Sequence, residues 1–162
     1  MRKSFLLIKF LVIISVFTNP VEAQTIWTIG PMLHVNFGDE KTVCSWNMEV
    51  AYWNFSGFPW SVDMGLEFER KKFRIYTEGQ TGIGVAGIAS GPVFEINRVD
   101  KKESLGWQSS VWGNYYWGFD IRYRKIGGKS FFAPGTYLKI GFNGRDENGE
   151  KIKSSNRSEF DD

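Results

Sequence analysis

His34 is the side chain in this sequence best suited to act as a general base. It is the only histidine among 162 residues, and histidine exchanges protons most readily near neutral pH. A hydrolase needs its nucleophile and base within about 2.6–3.2 Å of each other, and no spacing motif surrounds any serine. We therefore expect His34 to be a structural residue that is hydrogen-bonded to a carboxylate, and we predict no catalytic residues.

Other chemistry is restricted by composition. A single cysteine, Cys44, and a single histidine exclude a Cys-rich zinc site and a multi-histidine metal centre. The glycine-rich run at 80–87 lacks the Lys-Ser/Thr ending of a phosphate-binding loop. No Asp-x-Asp-x-Asp loop is present to bind calcium. We expect no metal site and no cofactor.

The elements that position the polar residues are strands. The sequence has 14 Phe, 7 Trp, 6 Tyr and 18 Gly, a composition that suits a β protein with tight turns. Apolar and polar residues alternate with period two in eight segments between Gln24 and Phe142. In one of them Trp60, Val62 and Met64 oppose Ser61 and Asp63. We predict an eight-stranded antiparallel up-and-down β-barrel over residues 24–142.

The two ends of the chain differ from this pattern. Residues 1–23 have a basic start, an apolar middle and small residues before Gln24, which predicts a cleaved signal peptide. Residues 143–162 are polar, and we predict a disordered tail. Removing three of the 20 basic and one of the 18 acidic residues with the leader leaves 17 of each. This balance gives no support for nucleic-acid binding.

The connections between the predicted strands alternate in charge. Those at 38–41, 69–72, 97–103 and 125–129 are charged, whereas the intervening ones are not. Every second turn of a meander lies on the same side, so one end of the molecule should be charged. A weak internal repeat relates 30–36 to 91–97, and each copy contains a Gly-Pro pair. Since proline cannot donate to a ladder, we expect a β-bulge at Pro31 and Pro92.

The small polar residues of one strand face suit the crowded interior of an eight-stranded barrel. Trp and Tyr near the strand ends of the other face are typical of the girdles at bilayer surfaces. We therefore predict an interior network of paired charges formed by Glu49, Asp63, Glu67, Arg74, Glu78, Glu95, Asp120, Arg122, Arg124 and Lys139. The predicted lipid-facing aromatic residues are Trp27, Trp46, Tyr52, Trp60, Trp107, Trp117, Phe119 and Tyr123.

From Trp27 to Phe142, and in its leader, the chain resembles the small eight-stranded outer-membrane β-barrels of Gram-negative bacteria. The resemblance implies a transmembrane barrel whose filled interior does not make it a porin, with a structural or surface-interaction role. Its partner would be outer-membrane lipid. The charged connections would face outward and could contact anionic headgroups, and the tail could bind a periplasmic partner.

Two alternatives remain at this point. A soluble periplasmic or secreted barrel of lipocalin-like shape would turn its apolar face inward. Trp46, Trp107, Trp117 and Phe119 would then line a cavity for an apolar ligand. The second alternative is a lipid-modifying membrane enzyme, an activity found among some barrels of this kind, in which His34 would act with a serine or an acid.

Overall fold

The computed structural model describes residues 24–38, 41–114, 117–146 and 148–152. The predicted signal peptide and residues 153–162 of the predicted tail lie outside the described residues. The described chain forms nine strands: β1 (Thr25–Asn36), β2 (Val43–Asn54), β3 (Trp60–Glu69), β4 (Lys72–Gly82), β5 (Ala86–Asn97), β6 (Glu103–Asn114), β7 (Gly118–Ile126), β8 (Lys129–Tyr137) and β9 (Ile140–Arg145).

These strands form a single closed sheet in which each strand from β1 to β8 is an antiparallel neighbour of the next. Strand β1 pairs with β2 on one side and with both β8 and β9 on the other. Strands β8 and β9 are the two segments of the eighth barrel strand, because only residues 138 and 139 separate them and both continue one register along β1. The prediction of an eight-stranded antiparallel up-and-down barrel is confirmed.

The eighth strand continues to Arg145, beyond the predicted barrel boundary at Phe142. The Gln24 backbone N–H donates to the Arg145 carbonyl at 2.9 Å, and an isolated bridge joins Arg145 to Lys151. The boundary was predicted from apolar composition. Backbone hydrogen bonds to β1 do not require apolar side chains, so the strand extends into the polar segment.

The two Gly-Pro pairs interrupt ladders without shifting the register. The β1–β2 pairing passes through Pro31 with no bulge, and the β5–β6 pairing passes through Pro92 in the same way. The predicted bulges are therefore wrong. A proline removes one donor, whereas a bulge would turn every later side chain of the strand to the opposite face.

The glycine of each pair allows a close backbone approach. A Cβ on Gly30 would lie 1.7 Å from the Leu138 carbonyl oxygen, and a Cβ on Gly91 would lie 1.9 Å from that of Thr77. The ladder is interrupted at both places, between β8 and β9 and at Thr77 and Glu78 of β4. The two halves of the weak repeat thus share a local structure as well as a sequence pattern.

The barrel has two unlike ends. The charged end carries the connections from β1 to β2, β3 to β4, β5 to β6 and β7 to β8, and the opposite end carries those from β2 to β3, β4 to β5 and β6 to β7. The connection from β7 to β8 is the tightest at the charged end. Gly127 and Gly128 have φ of 56° and 81°, which are the two positive angles that a type I′ hairpin turn requires.

Polar side chains are inside the barrel and apolar side chains are outside. Buried positions include His34, Glu67 and Arg124, while Leu33 and Met64 are 61% and 62% exposed. The interior also holds two apolar clusters that the alternation did not predict. One comprises Met32, Ala89, Trp112 and Tyr137, and the other comprises Tyr76, Val93, Ile126 and Phe131.

Replacing Gly65 with alanine should destabilise the barrel, because the new Cβ would lie 2.1 Å from Cζ of Tyr76. That ring is held by Glu49 and Arg122, so the overpacking should cost about 1–3 kcal/mol. Gly79→Ala is the matched control, since no atom lies within 4 Å of its Cβ position. Urea unfolding in detergent micelles measures both variants. Equal midpoints for the two would contradict this packing.

Candidate functional site in the barrel interior

Inward-facing residues from all eight barrel strands form the polar network of the interior. Among the ten predicted members, nine are buried and Lys139 is half-buried. Lys139 lies at the break between β8 and β9, where the chain leaves the ladder. The structure brings the ten residues together in two groups, one nearer the charged end and one nearer the opposite end.

Glu67 is the centre of the group nearer the charged end. Its Oε1 accepts from Arg74 Nη1 at 2.6 Å and from Arg124 Nη1 at 2.9 Å. Its Oε2 accepts a further bond from Arg124 Nη2. Arg74 also donates through Nη2 to Glu69 at 2.9 Å and through Nε to Glu95 at 2.7 Å. These five side chains are here called the Glu67 cluster.

Neutral side chains complete the bonding of the Glu67 cluster. Arg124 Nε donates to Gln108 Oε1 at 2.9 Å, and its Nη1 donates to Asn36 Oδ1 at 3.2 Å. Each guanidinium therefore has several acceptors, which a buried arginine requires. The Arg74 guanidinium also lies 5.6 Å from the centre of the Phe131 ring.

Arg122 is the centre of the second group. Its Nε donates to Asp120 at 2.6 Å and its Nη2 donates to Glu49 at 2.9 Å. The guanidinium lies 4.7 Å from the centre of the Tyr76 ring, and the Tyr76 hydroxyl donates to Glu49 at 2.7 Å. Glu78 is held more loosely, at 3.9 Å from Arg122 Nη1, and its Oε1 has no hydrogen-bond partner.

Lys139 links the second group to Asp63. Its Nζ lies 2.6 Å from Glu49 Oε1 and 3.6 Å from Asp63 Oδ2. Asp63 also accepts from the Ser61 hydroxyl at 2.7 Å and from the Gln80 amide. The interruption of the eighth strand thus places a cation where two carboxylates of β2 and β3 meet.

The His34 side chain hydrogen-bonds to Asp120 and to neither Ser45, its cross-strand partner on β2, nor Asp63. Its Nε2 is 2.9 Å from both carboxylate oxygens of Asp120, and its Nδ1 is 3.2 Å from Asn47 Nδ2. An amide NH₂ group only donates, so Nδ1 accepts and the ring proton lies on Nε2, toward Asp120. The Ser45 hydroxyl instead accepts from Asn36. Both ring nitrogens are therefore occupied by structural partners.

Sequence reasoning missed several members of the network. Glu69 and Lys72 lie at strand ends and were assigned to a charged connection. Each is two residues from an inward-facing residue, Glu67 and Arg74 respectively, and so points to the same inner face. Tyr76 shares this inner face and was not included in the predicted network, although its hydroxyl donates to Glu49. The neutral partners Asn36, Asn47 and Gln108 were also overlooked, because the prediction counted only charges.

The eight predicted lipid-facing aromatic residues all lie on the outer wall. Seven are 41–68% exposed, and Tyr52 is half-buried. Tyr52 packs between Trp27, at 5.0 Å between ring centres, and Trp60, at 6.1 Å. These rings lie near the opposite end, with Trp117 and Phe119. The other three, Trp46, Trp107 and Tyr123, lie nearer the charged end.

An aliphatic band separates the two aromatic groups. Its exposed members are Ile29, Leu33, Met48, Val62, Met64, Leu66, Ile75, Ile88, Val111, Ile121 and Ile140. At the edge of the band toward the charged end, Trp46 stacks on Phe68 at 4.8 Å. The outer wall is thus apolar at mid-height and aromatic toward both ends.

The lipocalin-like alternative is contradicted by this placement. It required Trp46, Trp107, Trp117 and Phe119 to line an interior cavity, but the four are 48%, 56%, 68% and 54% exposed on the outer wall. The interior of the described barrel is occupied by ion pairs. Period-two alternation does not tell which face of a strand points into the barrel. In the structure the polar face points inward.

Within the described residues, no helix is long and apolar enough to cross a membrane. In the same residues, no group of three or more His, Cys, Asp and Glu side chains is placed to hold a metal ion.

No protein-family model matches the sequence, and no curated protein sequence matches it. Two solved chains match by structure. One of them comes from a study titled "De novo design of transmembrane beta-barrels", with a TM-score of 0.47 and 11% sequence identity. The match covers 71% of this chain and 95% of the designed chain.

Replacing Glu67 with glutamine should cost far more stability than replacing Glu78 with glutamine. Glu67→Gln leaves Arg74 and Arg124 without their shared carboxylate, and breaking a buried pair costs about 3–5 kcal/mol. Glu78 makes no close ion pair, so Glu78→Gln should cost less than about 1 kcal/mol. Denaturant unfolding of both variants in the same micelles checks the order, and a reversed order would contradict the geometry.

Proposed function

We propose that this chain is an integral β-barrel of a Gram-negative outer membrane with a structural or surface-interaction role. The observation that carries the proposal is the arrangement of side chains, which is the reverse of the arrangement in a soluble barrel. Paired charges fill the interior, while an apolar band between two aromatic groups covers the outside. Such an exterior suits hydrocarbon flanked by two headgroup layers. The leader at 1–23 supports export across the inner membrane.

The filled interior supports a role other than that of a porin. A conducting barrel needs an open polar channel, and eight strands leave space for little beyond side chains. The Glu67 cluster spans the barrel at one level, since its members come from β3, β4, β5 and β7. Trp112, Tyr137 and Met32 fill the interior nearer the opposite end.

The proposed orientation places the charged end outward and the opposite end in the periplasm. The described N-terminal residue, Gln24, and the end of β9 both lie at the opposite end. With that orientation, the leader is removed on the periplasmic side, and the tail after Arg145 can bind a periplasmic partner. The charged connections are then the part of the barrel available for contacts at the cell surface.

His34 is proposed to be structural in this barrel. It is 1% exposed, and its two nitrogens hold Asp120 and Asn47. Asp120 in turn bonds Arg122, so the imidazole is one member of the second group. This arrangement orients a carboxylate within the network and needs no external substrate.

Placing arginine at Met64 tests the membrane proposal. Met64 is 62% exposed at the middle of β3. An arginine on the lipid face near the bilayer midplane costs about 2–4 kcal/mol, so Met64→Arg should strongly reduce the folded fraction in phosphatidylcholine vesicles. The measurement is folded fraction against urea concentration.

Val99→Arg is the matched control, because Val99 is 64% exposed in a connection at the charged end. It should behave as the parent chain does. A soluble barrel would expose both positions to water, and both arginines would then be mild. Equal folded fractions for the two variants would therefore defeat the proposal.

A further inference from the structure

A groove of about 770 Å³ crosses the outer wall of the barrel from β3 to β8. Its floor is a row of six residues from neighbouring strands, in which each residue is the antiparallel partner of the next. The row is Val62, Gly79, Ser90, Ser109, Tyr123 and Phe132. Three consecutive small residues in the row make the depression, and larger apolar side chains such as Ile88, Val111 and Ile121 form one of its sides.

The polar atoms of the groove floor already have partners. The hydroxyls of Ser90 and Ser109 are 2.7 Å apart, and Trp107 Nε1 donates to the Ser90 hydroxyl at 2.7 Å. The Ser90 hydroxyl also lies 3.2 Å from the Gln108 carbonyl oxygen. An occupant therefore meets apolar surface with few unsatisfied donors or acceptors, which suits a hydrocarbon chain.

The groove runs obliquely from the opposite end toward the charged end. Val62 is two residues from the opposite end of β3, and Phe132 is three residues from the charged end of β8. Five inter-strand steps span about 24 Å. Because barrel strands tilt by about 35–45°, the groove rises by about 15 Å, which is half of a hydrocarbon core of about 30 Å. The groove therefore lies across the middle of the outer wall, and an acyl chain that enters from the charged end can follow it.

The charged end, where the groove finishes, is basic. Its exposed basic residues among those described are Lys41, Arg70, Lys71, Arg98, Lys101, Lys102, Lys125 and Lys129, and its exposed acidic residues are Asp100 and Glu103. At the opposite end the described charges are balanced: Arg145 and Lys151 against Asp146 and Glu150. Lys125 follows Tyr123 on the same outer face of β7, and so lies beside the mouth of the groove.

We infer that the groove holds one acyl chain of a phosphate-bearing membrane lipid, with its phosphate against Lys125. The inference rests on the proposed membrane function and adds a specific lipid site to it. The apolar floor accounts for the chain, and the lysine at one mouth accounts for the anionic headgroup. The basic residues at the same end of the barrel strengthen the attraction of an anionic lipid to that leaflet.

Native mass spectrometry of the folded full chain can test the site. The protein is mixed in micelles with phosphatidylglycerol or with phosphatidylcholine of identical acyl chains, and the retained lipid is counted. The parent should retain phosphatidylglycerol about fivefold more than phosphatidylcholine, the factor expected for one lysine near an anionic surface.

Two variants separate the contributions of the groove and the lysine. Gly79→Leu fills the floor, and nothing within 4 Å of its Cβ position opposes the new side chain; it should lose both lipids. Lys125→Gln should keep the groove and lose only the preference for phosphatidylglycerol. The controls are Cys44→Leu, on the outer face of β2 outside the groove, and Lys71→Gln, in the connection from β3 to β4. Both should match the parent.

Several results would overturn the inference. Unchanged lipid retention in Gly79→Leu would show that the groove is not the lipid-binding site. An equal loss of preference in Lys71→Gln and Lys125→Gln would mean diffuse attraction without a site. A parent dimer that Gly79→Leu dissociates would assign the groove to a second copy.

Vesicle insertion is measured first for every protein in this series. A parent that does not insert defeats the membrane function itself. A parent that inserts but retains neither lipid selectively defeats the lipid site alone.

Discussion

The shared carboxylate of Glu67 is the interaction on which the rest of the barrel depends. One buried side chain joins Arg74 of β4 to Arg124 of β7, so it ties opposite sides of the wall together through the interior. Buried charges are tolerated only when they are paired and hydrogen-bonded. The closed wall supplies the protected interior that the pairs need, and the pairs fill that interior.

The location of the apolar residues follows from this interior. When ion pairs and a few aromatic side chains occupy the inner face, strand alternation forces the aliphatic residues onto the outer face. Leu33, Met64 and Ile140 are more than half exposed for this reason. An exterior of this composition is compatible with an apolar surrounding, and its aromatic borders are compatible with the two surfaces of a bilayer. The proposed membrane function therefore follows from the polar side chains that fill the barrel.

The period-two pattern was enough to predict the strands, their number and their order, because each strand has one polar and one apolar face. It also separated the polar set that contains Glu67 from the aromatic set that contains Trp107. The charge alternation of the connections predicted one charged end. These features depend on residues that are close together in the chain, so they can be predicted from a single sequence.

The partners within the interior could not be predicted, because they depend on barrel radius and stagger. Nothing in the sequence pairs His34 with Asp120, which is 86 residues away. Met32 and Trp112 are apolar residues on the otherwise polar inner face, and their interior location was not predicted. The bulges expected at Pro31 and Pro92 failed, since each strand tolerates a lost donor more easily than a change of register. The groove on the outer wall is likewise visible only after Gly79, Ser90 and Ser109 become neighbours across strands.

The mobility of the full chain on a denaturing gel, before and after boiling, tests the central claim most directly. The account predicts that the protein is found in the envelope fraction, needs detergent for extraction and migrates differently when unboiled, because a closed barrel held by buried ion pairs resists unfolding by detergent. A protein that is soluble without detergent, with the same mobility in both samples, would contradict the account.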